Sequence, residues 1–183
     1  MRQGTPYFEE TQWLRDTRWI WFAISGSALA SIIPLLYALI SQSLHGEPVG
    51  DKPMGNLQIA ITLSGLSAMT IVVVIVIRMI KFIVIVDQEG VHYNFFPASR
   101  GWKLLRKDQI VHYALLEKSN FFERIGKGYS KNRLTKTLKM RLQGRQIVRF
   151  ELDTRWKIVI GTQRPDDFLK ALQRMQNPDL TII

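Results

Sequence analysis

Catalysis and metal binding need particular residue types, and this sequence supplies few of them at useful spacings. Its three histidines are scattered: His45 lies in a Gly- and Pro-punctuated stretch, while His92 and His112 lie in strand-like runs. A two-histidine metal site requires the strands of His92 and His112 to be neighbours; a hydrogen-bonded or exposed strand histidine is the other reading. There is no cysteine, which excludes disulfides, a thiolate nucleophile and Cys-ligated zinc or iron–sulfur centres. Asp166-Asp167 is a carboxylate pair, yet two acids directly after Pro165 are also what a helix start favours. Gly126-Lys127-Gly128 has neither the spacing nor the strand–helix frame of a phosphate-binding loop. No serine has a base at a recognisable spacing. The expectation is a chain that is not an enzyme, with no catalytic residue, no metal, no cofactor and no evident small-molecule substrate.

One cluster does carry functional colour. Arg124, Lys127, Lys131, Arg133 and Lys136 fall in a short stretch whose one acid is Glu123, with Phe121 and Phe122 ahead of it and Tyr129 inside it. The chain as a whole has a formal charge of +10 and a pI near 10.1, which calls for a negatively charged neighbour. An anionic lipid surface, an acidic partner protein and a merely solvated basic loop all fit the stretch. Nucleic acid does not, because no RNA- or DNA-reading motif accompanies the charge.

The mean hydropathy of -0.01 averages two unlike regions of the 183 residues. Trp19 to Ile40 and Leu57 to Ile77 are free of charge, and each reaches the roughly 20 apolar residues needed to cross a bilayer core. Pro34 sits inside the first run and should kink it. Ala28-Leu29-Ala30 resembles a signal-peptidase site, but the apolar run continues to Ile40, so an uncleaved span is expected. A buried hairpin in a soluble protein is the alternative. Arg2, Arg15 and Arg18 precede the first run, Arg78 and Lys81 close the second, and the connection carries Lys52 against Glu47 and Asp51. The positive-inside bias then places both termini in the cytoplasm.

Two stripes of small residues, Ala23-Ser27-Ser31 and Ala60-Ser64-Ala68, would let helix backbones approach closely. They suit packing of the spans on each other, or docking of another membrane protein. Ahead of the first span, Thr5-Pro6 with Glu9 and Glu10 reads as a helix start, and Tyr7, Phe8, Trp13 and Leu14 give an apolar side. An interfacial helix over residues 1–18 is expected, with a plain extension of the first span as the alternative.

Beyond Lys81 the pattern becomes short strands and turns. Strand-like runs cover 82–86, 91–96, 102–105, 110–118, 138–142, 147–152 and 156–160, with Gln143-Gly144-Arg145 turning Leu138–Leu142 back into Ile147–Leu152. Leu138, Met140 and Leu142 alternate with Lys139 and Arg141, so one face is buried and the other wet. Pro165, Asp166 and Asp167 open a helix whose buried stripe is Phe168, Leu169, Leu172 and Met175. About seven antiparallel strands and one C-terminal helix predict an orthogonal sandwich or partly open barrel closed by that helix.

This order resembles a pleckstrin-homology (PH)-like domain. With the hairpin ahead of it, the chain resembles a family of uncharacterised bacterial inner-membrane proteins joining two spans to a bacterial PH-like domain. The residues that carry the resemblance are Phe8-Glu9, Trp19 to Trp21, Val86-Asp87, Gly90-Val91-His92-Tyr93, Phe95-Phe96-Pro97 and, above all, Ile160-Gly161-Thr162-Gln163-Arg164-Pro165-Asp166-Asp167. Between Ile125 and Leu134 the family is richer in Gly and Asn, whereas Lys and Arg dominate here. The expected organisation is therefore α+β: an interfacial helix at 1–18, a transmembrane hairpin at 19–80 with spans about 19–40 and 57–77, and a cytoplasmic PH-like domain at 81–183. The resemblance implies a multi-pass protein of the bacterial inner membrane and brings a fold without an activity. A non-catalytic scaffold or accessory subunit of a larger membrane complex is the leading expectation, with membrane lipids and other integral membrane proteins as partners. An anionic-lipid-binding module using the basic loop is the alternative.

Overall fold

The computed structural model describes residues 5–46, 54–99, 101–116, 128–144 and 146–177. They form two compact units, Thr17–Arg78 and a second built from Met1–Asp16 with Met79–Ile183. The expected outer loop at Glu47 to Pro53 lies outside the described residues.

The first unit is two helices, α1 (Arg18–His45) and α2 (Asn56–Met79). Both are long and apolar enough to cross a membrane. Gly46 ends α1 in the left-handed region (φ 70°), returning its N–H to the Gln42 carbonyl. Hydroxyls on these helices bond to their own backbone: Ser31 to the Ser27 carbonyl at 2.9 Å, Thr62 to Gln58 at 2.8 Å and Thr70 to Leu66 at 2.8 Å. That arrangement leaves fewer polar groups in need of water.

The second unit contains nine strands among the described residues and a third helix. The first sheet has the order β1-β2-β3-β4, from β1 (Phe8–Trp13), β2 (Lys81–Val86), β3 (Gly90–Phe96) and β4 (Lys103–Arg106), all antiparallel. The second sheet has the order β5-β8-β9-β7-β6, from β5 (Ile110–Leu116), β6 (Gly128–Asn132), β7 (Thr137–Arg141), β8 (Gln146–Leu152) and β9 (Lys157–Thr162). Neither sheet closes into a barrel. One apolar core joins them: Phe82, Val84, Phe95 and Leu105 from the first sheet and Met140, Val148, Phe150 and Ile160 from the second. Helix α3 (Pro165–Gln176) completes it with Phe168, Ala171, Leu172 and Met175, at helical i, i+3, i+4, i+7 spacing. The Phe168 ring lies 5.0 Å from Phe8 and 6.1 Å, edge-on, from Phe150, so this helix packs on both sheets.

Three expectations are corrected. The segment before α1 is not an interfacial helix, since Phe8–Trp13 is an edge strand paired residue for residue with β2 from Phe8↔Val86 to Trp13↔Lys81. Its inward side chains are Phe8, Glu10 and Gln12. Two of the three are polar, so the period-two pattern does not show as hydrophobicity. The unit at 81–183 therefore lacks a strand that the N-terminal residues supply. The turn at 143–145 also does not make β7 and β8 neighbours. β9 inserts between them, parallel to β7 and antiparallel to β8, so the second sheet is mixed. β9 is buried along nearly its whole length, and a central position covers such a strand best. Finally, β6 falls where a basic loop is expected.

Candidate functional site

The basic cluster is a hairpin. β6 and β7 pair from Gly128↔Arg141 to Asn132↔Thr137, leaving residues 133–136 as the turn. The Asn132 carboxamide oxygen accepts the N–H groups of Leu134 (2.9 Å) and Thr135 (3.2 Å), which builds the turn from its first side chain. Lys136 takes a positive φ of 47°, and its carbonyl accepts the Lys157 N–H at 2.8 Å. Lys131, Arg133 and Lys136 are thus brought together on one exposed tip. The Lys131 ammonium stands 5.5 Å from the centre of the Trp156 ring, a cation–π contact. Leu134, between the cations, is 96% exposed. Arg124 and Lys127, with Phe121 and Phe122, lie outside the described residues.

The small-residue stripes do not line a contact between the two helices, which leaves their other reading, a docking face, untouched. Ala23, Ser27, Ser31, Ser64 and Ala68 are exposed, and Ala60 is half-buried. The covered residues of α1 include Ile20, Ile24, Ala28, Ile32, Leu35, Ala38, Leu39 and Gln42; those of α2 include the buried Ile59 and the half-buried Leu63, Leu66, Thr70, Val74 and Ile77. Each set repeats at about 3.5 residues, the seam of a helix pair, and its residues are mostly large. Bulky seam side chains hold helix axes apart, which leaves the small-residue faces turned outward.

The histidines do not converge. His92 is on β3 of the first sheet and His112 on β5 of the second. His92 Nε2 lies 2.8 Å from Asp87 Oδ2, across the turn that Asp87 also builds by accepting the N–H groups of Glu89 (2.9 Å) and Gly90 (3.2 Å). Asp166 and Asp167 occupy the first turn of α3. Among the described residues no three histidine or acidic side chains gather as a metal site would require.

Sequence reasoning missed a buried polar seam. Gln12 donates from Nε2 to Glu10 Oε1 (2.7 Å) and to the Gly161 carbonyl (2.8 Å). Its Oε1 accepts the N–H groups of Leu142 (3.3 Å) and Gln143 (2.9 Å). Glu10 accepts the Thr162 hydroxyl on Oε2 (2.6 Å) and the Gln163 N–H on Oε1 (3.0 Å). Gln143 and Gln163 bond to one another, and Gln143 Nε2 reaches the Trp13 carbonyl at 2.5 Å. Beside the seam, Arg164 lies 4.9 Å over the Phe8 ring and donates to the Glu9 carbonyl. The strings Phe8-Glu9 and Gly161-Thr162-Gln163-Arg164 are therefore parts of one joint between the sheets. Two glycines let it close. At Gly144 (φ 89°) a Cβ would lie 2.1 Å from the Thr162 carbonyl oxygen, and at Gly161 one would lie 2.6 Å from Arg141 Cγ.

Two core phenols are perturbed. Burial, and secondarily the neighbouring Tyr129, pushes the Tyr93 hydroxyl above the ordinary tyrosine range, and burial does the same to Tyr113. No family model, curated protein or solved structure matches the chain.

Proposed function

We propose that this chain is a non-catalytic, membrane-anchored scaffold or accessory subunit of a larger complex of the bacterial inner membrane, with its PH-like sheet unit on the cytoplasmic side. The observation that carries the reading is the apolar surface left bare on both helices. Phe22 is 78% exposed, Leu44 74%, Leu57 75% and Met69 66%. Contiguous apolar surface on this scale calls for lipid or partner helices. Connectivity supports an even number of crossings. The chain leaves the first sheet after Trp13 and returns at Lys81, and these two residues are paired neighbours. Extraction in a mild detergent followed by native electrophoresis tests the scaffold reading. Migration as part of a larger assembly is expected; migration solely as a small free species overturns it. Cysteine accessibility at position 52 and at the C-terminus tests the topology, with opposite sides expected.

The hairpin tip favours a second reading, a contact with anionic lipid. Arg133 and Lys136 flank a nearly fully exposed leucine, so charge attraction and shallow apolar insertion act at one point. A Leu134→Cys chain carrying an environment-sensitive fluorophore, reconstituted in nanodiscs, distinguishes it. A blue shift with phosphatidylglycerol but not phosphatidylcholine supports the contact, and identical spectra dismiss it. The full chain is required, because a fragment starting at Lys81 lacks β1.

A further inference from the structure

Just inside the hairpin tip, the core reaches the surface as a cavity of about 210 Å³. Its apolar lining comes from Leu138 of β7 and Ile158 of β9, which are neighbours in the second sheet, and from the Trp156 ring. Tyr93 of β3 enters it from the first sheet, with Lys103 of β4 and Lys131 of β6 beside it. Strand register puts both lysines on the core face. Lys103 is paired with the buried Tyr93 and stands two residues before the buried Leu105. Lys131 is paired with the buried Leu138 and stands two residues after Tyr129, which packs on the core. Such positions ordinarily take apolar residues.

At the end of a sheet a lysine stem can run along apolar surface and leave its ammonium in water, which accounts for either lysine alone. It does not account for the phenol. Tyr93 is 6% exposed, and its hydroxyl has no hydrogen-bond partner among the described residues. A buried tyrosine hydroxyl normally has one, so a lone phenol lining a cavity calls for a group that enters from outside. Burial and Tyr129 keep this phenol protonated, as an O–H donor. The phenol and the two ammonium groups can all donate, and a carboxylate only accepts. Hydroxyl and ammonium are single-point donors, whereas the planar fork that suits phosphate belongs to arginine. The Trp156 ring and the two aliphatic side chains offer surface for an apolar body next to those donors.

We propose that this cavity binds a small monocarboxylate with an apolar body. Its carboxylate is taken by the Tyr93 hydroxyl and the Lys103 and Lys131 ammonium groups, and its body by Trp156, Leu138 and Ile158. Isothermal titration of the full chain in phosphatidylcholine nanodiscs tests it, with phenylacetate and hexanoate as probes and empty nanodiscs as the blank. Saturable binding of at least one acid is expected, and its matching amide, phenylacetamide or hexanamide, should bind about tenfold more weakly. Tyr93→Phe, which keeps the ring, should weaken the acid about fivefold, while Lys170→Gln on α3 changes it less than about twofold. Preference for phenylacetate marks an aromatic body and preference for hexanoate an aliphatic one; either upholds the site. Absence of saturable binding by both acids, equal affinity for acid and amide, or indifference to Tyr93→Phe overturns it. Should that variant not fold, acetylation of Lys103 and Lys131 in the unaltered chain, read by mass spectrometry, serves instead. The tighter acid should slow it relative to chloride at equal ionic strength, and equal rates overturn the proposal. No anionic lipid is present, so these outcomes are separate from those of the native gel and of the hairpin tip.

Discussion

Two regions hold β1 and the second sheet together, and they do so by opposite means. In the apolar region, Phe8 meets Phe168 of α3, which in turn meets Phe150. In the polar seam, Glu10 and Gln12 of the same strand meet Gly161, Thr162, Gln163, Leu142 and Gln143. The apolar contacts are non-directional, so their worth scales with the area removed from water. The seam gains little net energy per bond, but every one of its groups is costly when left unpaired. It therefore specifies the register of β1 more than it adds stability. One strand alternating between the two mechanisms is attached firmly and in a single register.

The largest effect should come from the apolar side. Phe168 is fully buried between both sheets, so Phe168→Ala should cost about 3–5 kcal/mol by cavity formation and lost transfer energy. Denaturant unfolding of the detergent-solubilised chain, followed by near-ultraviolet circular dichroism, reads it. A loss below about 1 kcal/mol would show that α3 does not hold the sheets together.

How well the two regions can be read from sequence differs for the same reason. The stripe of α3, the strands at 82–86 and 91–96 and the alternation at Leu138–Leu142 are legible, because each buries apolar residues at a regular period. β1 is not: its inward residues Glu10 and Gln12 look like solvent-facing groups until their partners, some 130 to 150 positions away, are known. β6 (Gly128–Asn132) has almost no apolar content to reveal it. The parallel pairing of β7 with β9 is a non-local choice that no turn signal encodes. The candidate site follows the same rule. Lys131, Arg133 and Lys136 are close in sequence and legible as a cluster, whereas Glu10 and Gln12 meet Gln143, Thr162 and Gln163 only through strand pairing.

The seam gives the next prediction. Gln12→Ala leaves the Leu142 and Gln143 N–H groups and the Gly161 carbonyl without their side-chain partner, at a cost of about 2–3 kcal/mol. Its coupling should also be large. Gln12→Ala and Thr162→Val both act through Glu10, so their double-mutant cycle should show about 0.5 kcal/mol or more of interaction. Strict additivity would mean that the seam is a set of separate bonds. Phe168→Ala, which shares no hydrogen bond with Thr162→Val, provides the reference cycle and should be closer to additive.

The smallest effect separates the regions by pH. Tyr93 and Tyr113 lie in or against the apolar core, and burial raises both phenols above their ordinary value of 10.0. An unfolded chain ionises these phenols first, so the stability they contribute is fully present below about pH 10 and is lost as pH rises towards their folded values. The seam, made from carboxylate, amide and hydroxyl groups, has no phenol, thiol or amine to titrate there. Between about pH 9 and 11 the folded state should therefore weaken through its core while the seam stays intact. Tyr93→Phe should flatten the alkaline decline of the unfolding midpoint, and Thr162→Val should shift the midpoint equally at all pH values in that window. A decline as steep in Tyr93→Phe as in the unaltered chain would place the alkaline sensitivity outside this part of the core.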